Sequence, residues 1–316
     1  MSLYLVTGGA GFIGSHIIES LIEKGEKVRI LDNFSTGKKE NLSQFADSLE
    51  IVEGDVRDPD SCRQAMKNVK YAIHLAALHE VPRSVEQPLE THEINVTGIL
   101  NTLVAARDAK VKRFVYASSS AVYGDSPVLP RSEEKVSPVS SPYAASKMAG
   151  EHYCGLFSSL YGLETASLRY FNVYGPRQDA ASQYAGVIPK FVSALVSGTA
   201  PTIYGDGEQS RDFLYVKDCA RATIAACNAV GISGGVMNIG TGLQTTVNQL
   251  CAFLQGILSR KIPPVFGPPQ PGDIRYDYAD VSKANKYLSF RPEWDMHRGL
   301  EKTAEWYASF FVGSGK

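Results

Sequence analysis

At 316 residues, with 44% hydrophobic and 21% charged residues, the chain has the balance of an ordinary soluble globular protein able to bury one large α/β core or two lobes. A formal net charge of -1 gives no electrostatic case for nucleic acid or an anionic membrane as partner, and no apolar run approaches the roughly 20 residues of a membrane span. Cys62, Cys154, Cys219, Cys227 and Cys251 are scattered, odd in number and without a CxxC pair, and glycines follow Met1 too soon for a signal peptide, so the expectation is a cytoplasmic protein with reduced thiols. The six histidines have no ligand spacing, which predicts no metal.

The chain opens with a short apolar strand, Leu3 to Thr7, that runs into Gly8-Gly9-Ala10-Gly11-Phe12-Ile13-Gly14, then a helix to Gly25. In that context Gly8 permits a tight turn, Gly11 lets backbone approach a pyrophosphate, Gly14 lets helix pack on strand, and the helix N-terminus presents free N–H groups to phosphate. The second strand, Lys27 to Leu31, ends in Asp32, an acid placed to bond a ribose 2′-hydroxyl and to favour NAD over NADP, although Lys38 and Lys39 follow. Glu50 to Glu53 is a third strand, after which Asp55 can meet an adenine edge or cap the helix starting near Pro59. Tyr71 to Ala77 is a fourth, with His74 read as a packed core histidine and small residues at its end against which a cofactor can lie. A helix over Leu89 to Ala109 and a strand over Arg113 to Ala117 lead to Ser118-Ser119-Ser120, a hydroxyl cluster where doubly wound sheets place ligands.

Next comes Ser141-Pro142-Tyr143-Ala144-Ala145-Ser146-Lys147. Ser141 suits an N-cap, Pro142 the first turn, and the helical pattern runs to Tyr161 before Gly162. Tyr143 and Lys147 share one face, so an ammonium beside a phenol offers a general base usable near neutral pH. Glu164 to Tyr170 is a further strand. Beyond it the alternation breaks, and Gly, Pro and aromatic residues become frequent. The expected organisation is α/β: a doubly wound parallel sheet over residues 1–175 plus about 206–244, with a smaller lobe from about 176–205 plus 245–316.

Taken in order, Gly8 to Gly14, Asp32, Ser119, Tyr143-x-x-x-Lys147, Arg169-Tyr170-Phe171-Asn172, Gly205-Asp206-Gly207 and Arg211-Asp212-Phe213 make the chain resemble the extended short-chain dehydrogenases that act on nucleotide sugars, from Tyr4 to about Tyr307. The resemblance implies a Rossmann lobe holding NAD, a smaller lobe holding a nucleoside diphosphate sugar, and a homodimer through the Leu89 and Tyr143 helices, where Leu100, Leu103 and Val104 are apolar. It implies Ser119, Tyr143 and Lys147 as the catalytic residues. NAD is expected on Gly8, Gly11, Phe12, Ile13, Gly14, Asp32, Asn33, Ser35, Gly37, Asp55, Val56, Leu75, Ala76, Ala77, Asn95, Tyr143, Lys147 and Tyr170. The UDP-sugar is expected on Pro82, Arg83, Ser84, Ser119, Ser120, Asn172, Val187, Ile188, Tyr204, Arg211, Asp273 and Asp277, with Asn172 and Arg211 on the diphosphate and Tyr204 beside the uracil.

Similar 4,6-dehydratases and UDP-glucuronate decarboxylases carry a glutamate two positions after the catalytic serine or threonine; here that position is Ala121, which argues for 4-epimerisation. The implied substrates are UDP-glucose/UDP-galactose and UDP-N-acetylglucosamine/UDP-N-acetylgalactosamine; the alternatives are a UDP-glucuronate 4-epimerase or another nucleotide-sugar decarboxylase or reductase, while the presence of Ser119, Tyr143 and Lys147 together argues against a non-catalytic NAD sensor. Asp277, where a large tyrosine would exclude an N-acetyl group, is of intermediate size, and its charge is expected to disfavour a sugar carboxylate. Gln270 stands where many relatives have an arginine, leaving Arg275 as a candidate replacement on the diphosphate.

Overall fold

A computed structural model describes residues 1–179, 186–270 and 274–313. In chain order the elements are β1 (Leu3–Thr7), α1 (Phe12–Glu23), β2 (Lys27–Asp32), β3 (Leu49–Glu53), α2 (Pro59–Ala65), β4 (Tyr71–His74), α3 (Val81–Glu86), α4 (Pro88–His92), α5 (Gly98–Asp108), β5 (Arg113–Ser119), α6 (Pro142–Tyr161), β6 (Thr165–Tyr170) and β7 (Val173–Tyr174). There follow α7 (Val187–Val196), β8 (Thr202–Tyr204), β9 (Ser210–Arg211), β10 (Leu214–Tyr215), α8 (Val216–Asn228), β11 (Gly235–Ile239), β12 (Thr245–Thr246), α9 (Val247–Ile257), β13 (Val265–Gly267), α10 (Ser282–Leu288) and α11 (Met296–Gly313). Seven strands pair in parallel in the order β3-β2-β1-β4-β5-β6-β11, the doubly wound sheet that the sequence predicts.

Two apolar layers sandwich this sheet, one holding Ile17, Leu21, Ile30 and Ile239, the other Leu5, Leu31, Leu103 and Phe114. Leu103 is fully buried there, and Leu100 and Val104, partly buried, pack against the same layer. A third cluster, with Phe191, Leu195, Ile203, Leu250, Leu254 and Leu300, draws on α7, α9 and α11 and lies outside the main sheet. As expected, the segment after Phe213 returns to the sheet through α8 and β11.

Local chemistry explains where elements depart from expectation. β4 stops at His74, where the ladder gives way to side-chain contacts: Leu75 N–H still reaches the Thr7 carbonyl at 3.2 Å, and the Thr7 hydroxyl, at the end of the neighbouring β1, takes the Ala76 N–H at 3.2 Å. β5 instead continues to Ser119, since Ser118 and Ser119 pair with Arg169 and Tyr170. The helix expected over Leu89 to Ala109 is interrupted by a π turn at Glu93–Thr97, a wider turn that favours functional or packing sites. Asp58, not Asp55, caps α2: its carboxylate accepts from the N–H of Asp60 and Ser61. Ser141 caps α6 as expected, and Gly162 ends it with φ +68.

His74 is a core residue, 1% exposed, with Nδ1 2.9 Å from the Thr7 hydroxyl; burial holds its pKa down at about 3, and burial also brings His16 to about 3. Unfolded histidines take up protons near pH 6.5, whereas these two do not until about pH 3, so the unfolded state gains protons over the folded one as pH falls through that window. Stability is therefore expected to drop on acidification below about pH 6.5, at up to about 1.4 kcal/mol per pH unit for each histidine. Urea midpoints between pH 7 and 4.5 check this, and His74→Gln should flatten the slope.

Candidate active site

All strands of the sheet run the same way, so the residues following β1, β2, β4, β5 and β6 collect along one edge. Those segments carry the glycine turn, Asp32, Leu75 to Ala77, Ser119 and Asn172.

The glycine turn is a cradle that side chains would fill. Gly8 has φ +69, and a Cβ there would lie 2.8 Å from the Ala76 nitrogen; at Gly14 it would lie 2.4 Å from the Gly8 oxygen. Gly11 enters α1 in extended conformation with no capping side chain, so first-turn N–H groups, including those of Phe12 and Ile13, are left for an anion. Asp32 is 7% exposed at the end of β2; its carboxylate accepts from Ala10 N–H at 2.9 Å and Phe34 N–H at 2.8 Å, while burial raises its pKa. A Cβ at Gly37 would press within 3.0 Å of that carboxylate. Asn33 donates to Asp55 at 2.8 Å, and Ser35 N–H to the Asn33 oxygen at 3.0 Å. The Asp55 carboxyl lies low, at about 2, chiefly through its bond from Arg57. Val56 is buried behind them. These residues fit a dinucleotide: N–H donors for a pyrophosphate and an acid for a ribose hydroxyl.

α6 and β5 meet at the second half of the edge. Tyr143 (8% exposed) lies close enough to Ser119 for that hydroxyl to favour the phenolate, and Lys147 (4% exposed) donates to the Ala117 carbonyl at 2.8 Å with its Nζ 5.8 Å from the Tyr143 ring centroid. The sequence expectation of an acidified phenol needs correction here: burial raises the Tyr143 pKa, and the Ser119 hydroxyl only opposes that. Burial also brings Lys147 down to about 8. Two hydroxyls and an ammonium are thus assembled with little water around them.

Several expected contact residues have their polar atoms engaged within the protein. Both Asn95 amide hydrogens are donated, to the Leu78 carbonyl and the Ser146 hydroxyl, and its oxygen accepts from Leu78 N–H, so it shapes the loop after β4. The Ser84 hydroxyl, fully buried, donates to the Val81 carbonyl and accepts from the Tyr143 N–H at 3.1 Å, seating the start of α6. The Tyr170 hydroxyl bonds Thr223, the Ile188 side chain belongs to the third core, and Arg83 pairs with Glu80 and Glu90. Ser120 and Val187 are half-buried and Pro82 is exposed on α3. Asn172 donates to the Asp212 carbonyl, Tyr204 exposes its ring on β8, and Arg211 donates to the carbonyls of Ser210 and Ile274. Arg275 is held by Asp206 at 2.6 and 2.9 Å, and Asp273 lies outside the described residues.

Asp277 is not the bare charge expected. It is 6% exposed and takes a bond at 2.9 Å from Arg131, itself 2% exposed, so its negative charge is largely offset; an arginine 146 positions away in sequence gave no signal of this. Glu151 was also missed, although it continues the four-residue spacing of Tyr143 and Lys147.

Residues 4–240 match the NAD dependent epimerase/dehydratase family. The chain belongs to that family. It is therefore an NAD-dependent enzyme, and the glycine cradle with Asp32 fits the cofactor. Among solved structures it is similar to a UDP-N-acetylglucosamine 4-epimerase from Methanobrevibacter ruminantium, in complex with UDP-N-acetylmuramic acid, at 43% identity and TM-score 0.94 over 98% of this chain and 99% of that one. It is 38% identical to a UDP-glucose 4-epimerase of Mycolicibacterium smegmatis, over 96% of this chain and 97% of the relative. It is also 34% identical to a UDP-glucuronate 4-epimerase of Thermodesulfobacterium geofontis, over 97% and 96%.

Replacing Gly14 by Ala forces α1 away from the turn. The expected result is a loss of about 1–3 kcal/mol in stability and at least roughly ten-fold weaker NAD binding, read by thermal denaturation and by titration against NAD.

Proposed function

We propose that this family member is a UDP-hexose 4-epimerase, an isomerase interconverting UDP-glucose with UDP-galactose, UDP-N-acetylglucosamine with UDP-N-acetylgalactosamine, or both pairs. The observation that carries the reading is the buried Tyr143 phenol beside Ser119 with Lys147 one turn on in the same helix, next to a methyl group at Ala121. Water elimination needs a further acid or base at the sugar, and position 121 offers no carboxyl. The three relatives share the 4-epimerase name and differ in the sugar.

NAD, which the glycine turn and Asp32 would hold, would supply an acceptor for the C4 hydride and a positive charge that favours the phenolate. Tyr143 takes the proton of the sugar 4-hydroxyl, and Ser119, next to the phenol, relays it. Lys147 supports the phenolate from beneath. Ser84, through the Tyr143 N–H, fixes where α6 begins and so where the base sits. Asn172 and Arg211 hold the diphosphate, Tyr204 flanks the base, and the sugar turns while its nucleotide end stays held. We assign the cofactor to residues 1–175 plus about 206–244, which also lend Ser119, Tyr143, Asn172 and Arg211 to the substrate, and the rest of the nucleotide-sugar site to the remainder, a division supported by the third apolar cluster on α7, α9 and α11.

The far wall of the sugar site favours no single substrate by charge. With Arg131 offsetting Asp277, a carboxylate at C6 meets less repulsion than the bare aspartate would give, which supports UDP-glucuronate as a second reading. A homodimer is part of the proposal; Leu89, Leu156, Leu160 and Tyr161, exposed on α4 and α6, are apolar surface for it.

Incubation with UDP-glucose, UDP-N-acetylglucosamine and UDP-glucuronate, followed by separation of products, tests the reading. A C4 epimer without net NADH is expected. Carbon dioxide release, a 4-keto-6-deoxy product or accumulating NADH refutes it. Tyr143→Phe should lower kcat by about 10²–10⁴-fold and leave the UDP-sugar Kd within about three-fold, by calorimetry.

A further inference from the structure

Lys147 is an ammonium inside the protein, and burial alone favours its neutral form. The groups near it come from several elements: Tyr143 and Glu151 on its own helix, Tyr116 on β5 with its ring 5.1 Å from Nζ, His74 on β4, and His79 in the loop after β4. The histidines feel Lys147 as a repelling charge, and both tyrosines are buried phenols. Among the described residues, Glu151 is the carboxylate whose charge acts on Lys147.

Glu151 is 7% exposed and held from three directions. Its Oε1 accepts from the Ser118 hydroxyl at 2.5 Å and from Arg169 Nε at 2.9 Å, and its Oε2 accepts from Arg169 Nη2 at 2.7 Å. Ser118 and Arg169 face each other across β5 and β6, one position before Ser119 and Tyr170. A buried ion pair of this kind is weak evidence for stability, because apolar residues of equal volume often do as well. Its location suggests another use.

We propose that Glu151 is a positioning residue for the Tyr143–Lys147 pair: fixed by Arg169 and Ser118 one helical turn beyond Lys147, its carboxylate keeps the buried ammonium charged and locks α6 to the strand end that carries Ser119. This inference rests on the 4-epimerase reading for its kinetic consequence only. The electrostatic part belongs to the chain itself.

The test is Glu151→Gln, with Glu151→Asp as the conservative rescue. Lysine-labelled NMR, with the Lys147 signal assigned by its absence in Lys147→Met, reads the titration directly. Removing the negative charge disfavours the ammonium, so the Lys147 midpoint should fall by a unit or more in the Gln variant and recover at least half of that in the Asp variant. The alkaline limb of kcat against pH should move the same way, giving about ten-fold lower activity at pH 8 and a smaller loss at pH 6.5. A folded Gln variant with an unmoved Lys147 midpoint, or a kcat loss uniform across pH, overturns the proposal. Should the Gln variant not fold, the wild-type titration decides: a midpoint near 8 supports it, and one at about 5–6, the range of buried lysines without a counter-charge, overturns it. A wild-type chain that turns over no UDP-sugar refutes the epimerase reading and leaves the NMR result intact.

Discussion

A full positive charge held in the interior is the constraint around which this molecule is arranged. The Lys147 ammonium donates to the Ala117 carbonyl at the end of β5, so helix and strand must meet at one register. Burying it is costly unless partners surround it. The surrounding partners are a carbonyl, two aromatic rings and the Glu151 carboxylate, and each is delivered by backbone that the doubly wound sheet already holds in place.

From Glu151 the polar interior continues across the sheet end. Arg169 lies 4.7 Å over the Tyr123 ring, the Tyr123 hydroxyl donates to Asn238 at 2.6 Å, Asn238 donates to the Arg131 carbonyl, and Arg131 pairs with Asp277. Two buried ion pairs are thereby joined by one cation–π contact and a short run of hydrogen bonds, one pair near Lys147 and the other at the proposed sugar wall. In a low-dielectric interior such chains are stiff, because every member loses a partner if one moves. The site is thus braced from behind by Arg169, Tyr123, Asn238 and Arg131.

Much of this was legible because it is local. A strand followed by Gly8, Gly11 and Gly14 has one inexpensive backbone path, and a proline behind a capping serine announces the start of α6; both elements stand where the sequence put them. What escaped is what depends on distant partners. Asp277 looked like a charge in a pocket, and only the folding of Arg131 against it shows otherwise. Asp55 was expected at an adenine edge or as the cap of α2, and the cap proves to be Asp58, because its carboxylate is the one the turn aims at the first N–H groups. Asn95 falls in a π turn that no periodicity signals. The Tyr143 phenol was expected to be acidic from its spacing to Lys147, yet burial dominates, since desolvation depends on everything packed around the ring.

The helix behind the glycine turn has one further property. Its Ile13 packs against both the sheet core and the third apolar cluster, and on its flank His16 and Glu19 grip Arg177 while His16 bonds the Pro176 carbonyl at 2.9 Å. Arg177 itself adopts φ +68, a left-handed geometry uncommon for a long side chain. The floor beneath the phosphates is consequently a shared beam riveted at its side to the segment leading out of β7. Any shift of α1 against one apolar cluster must disturb the other, so the glycine turn at its head is held from both sides.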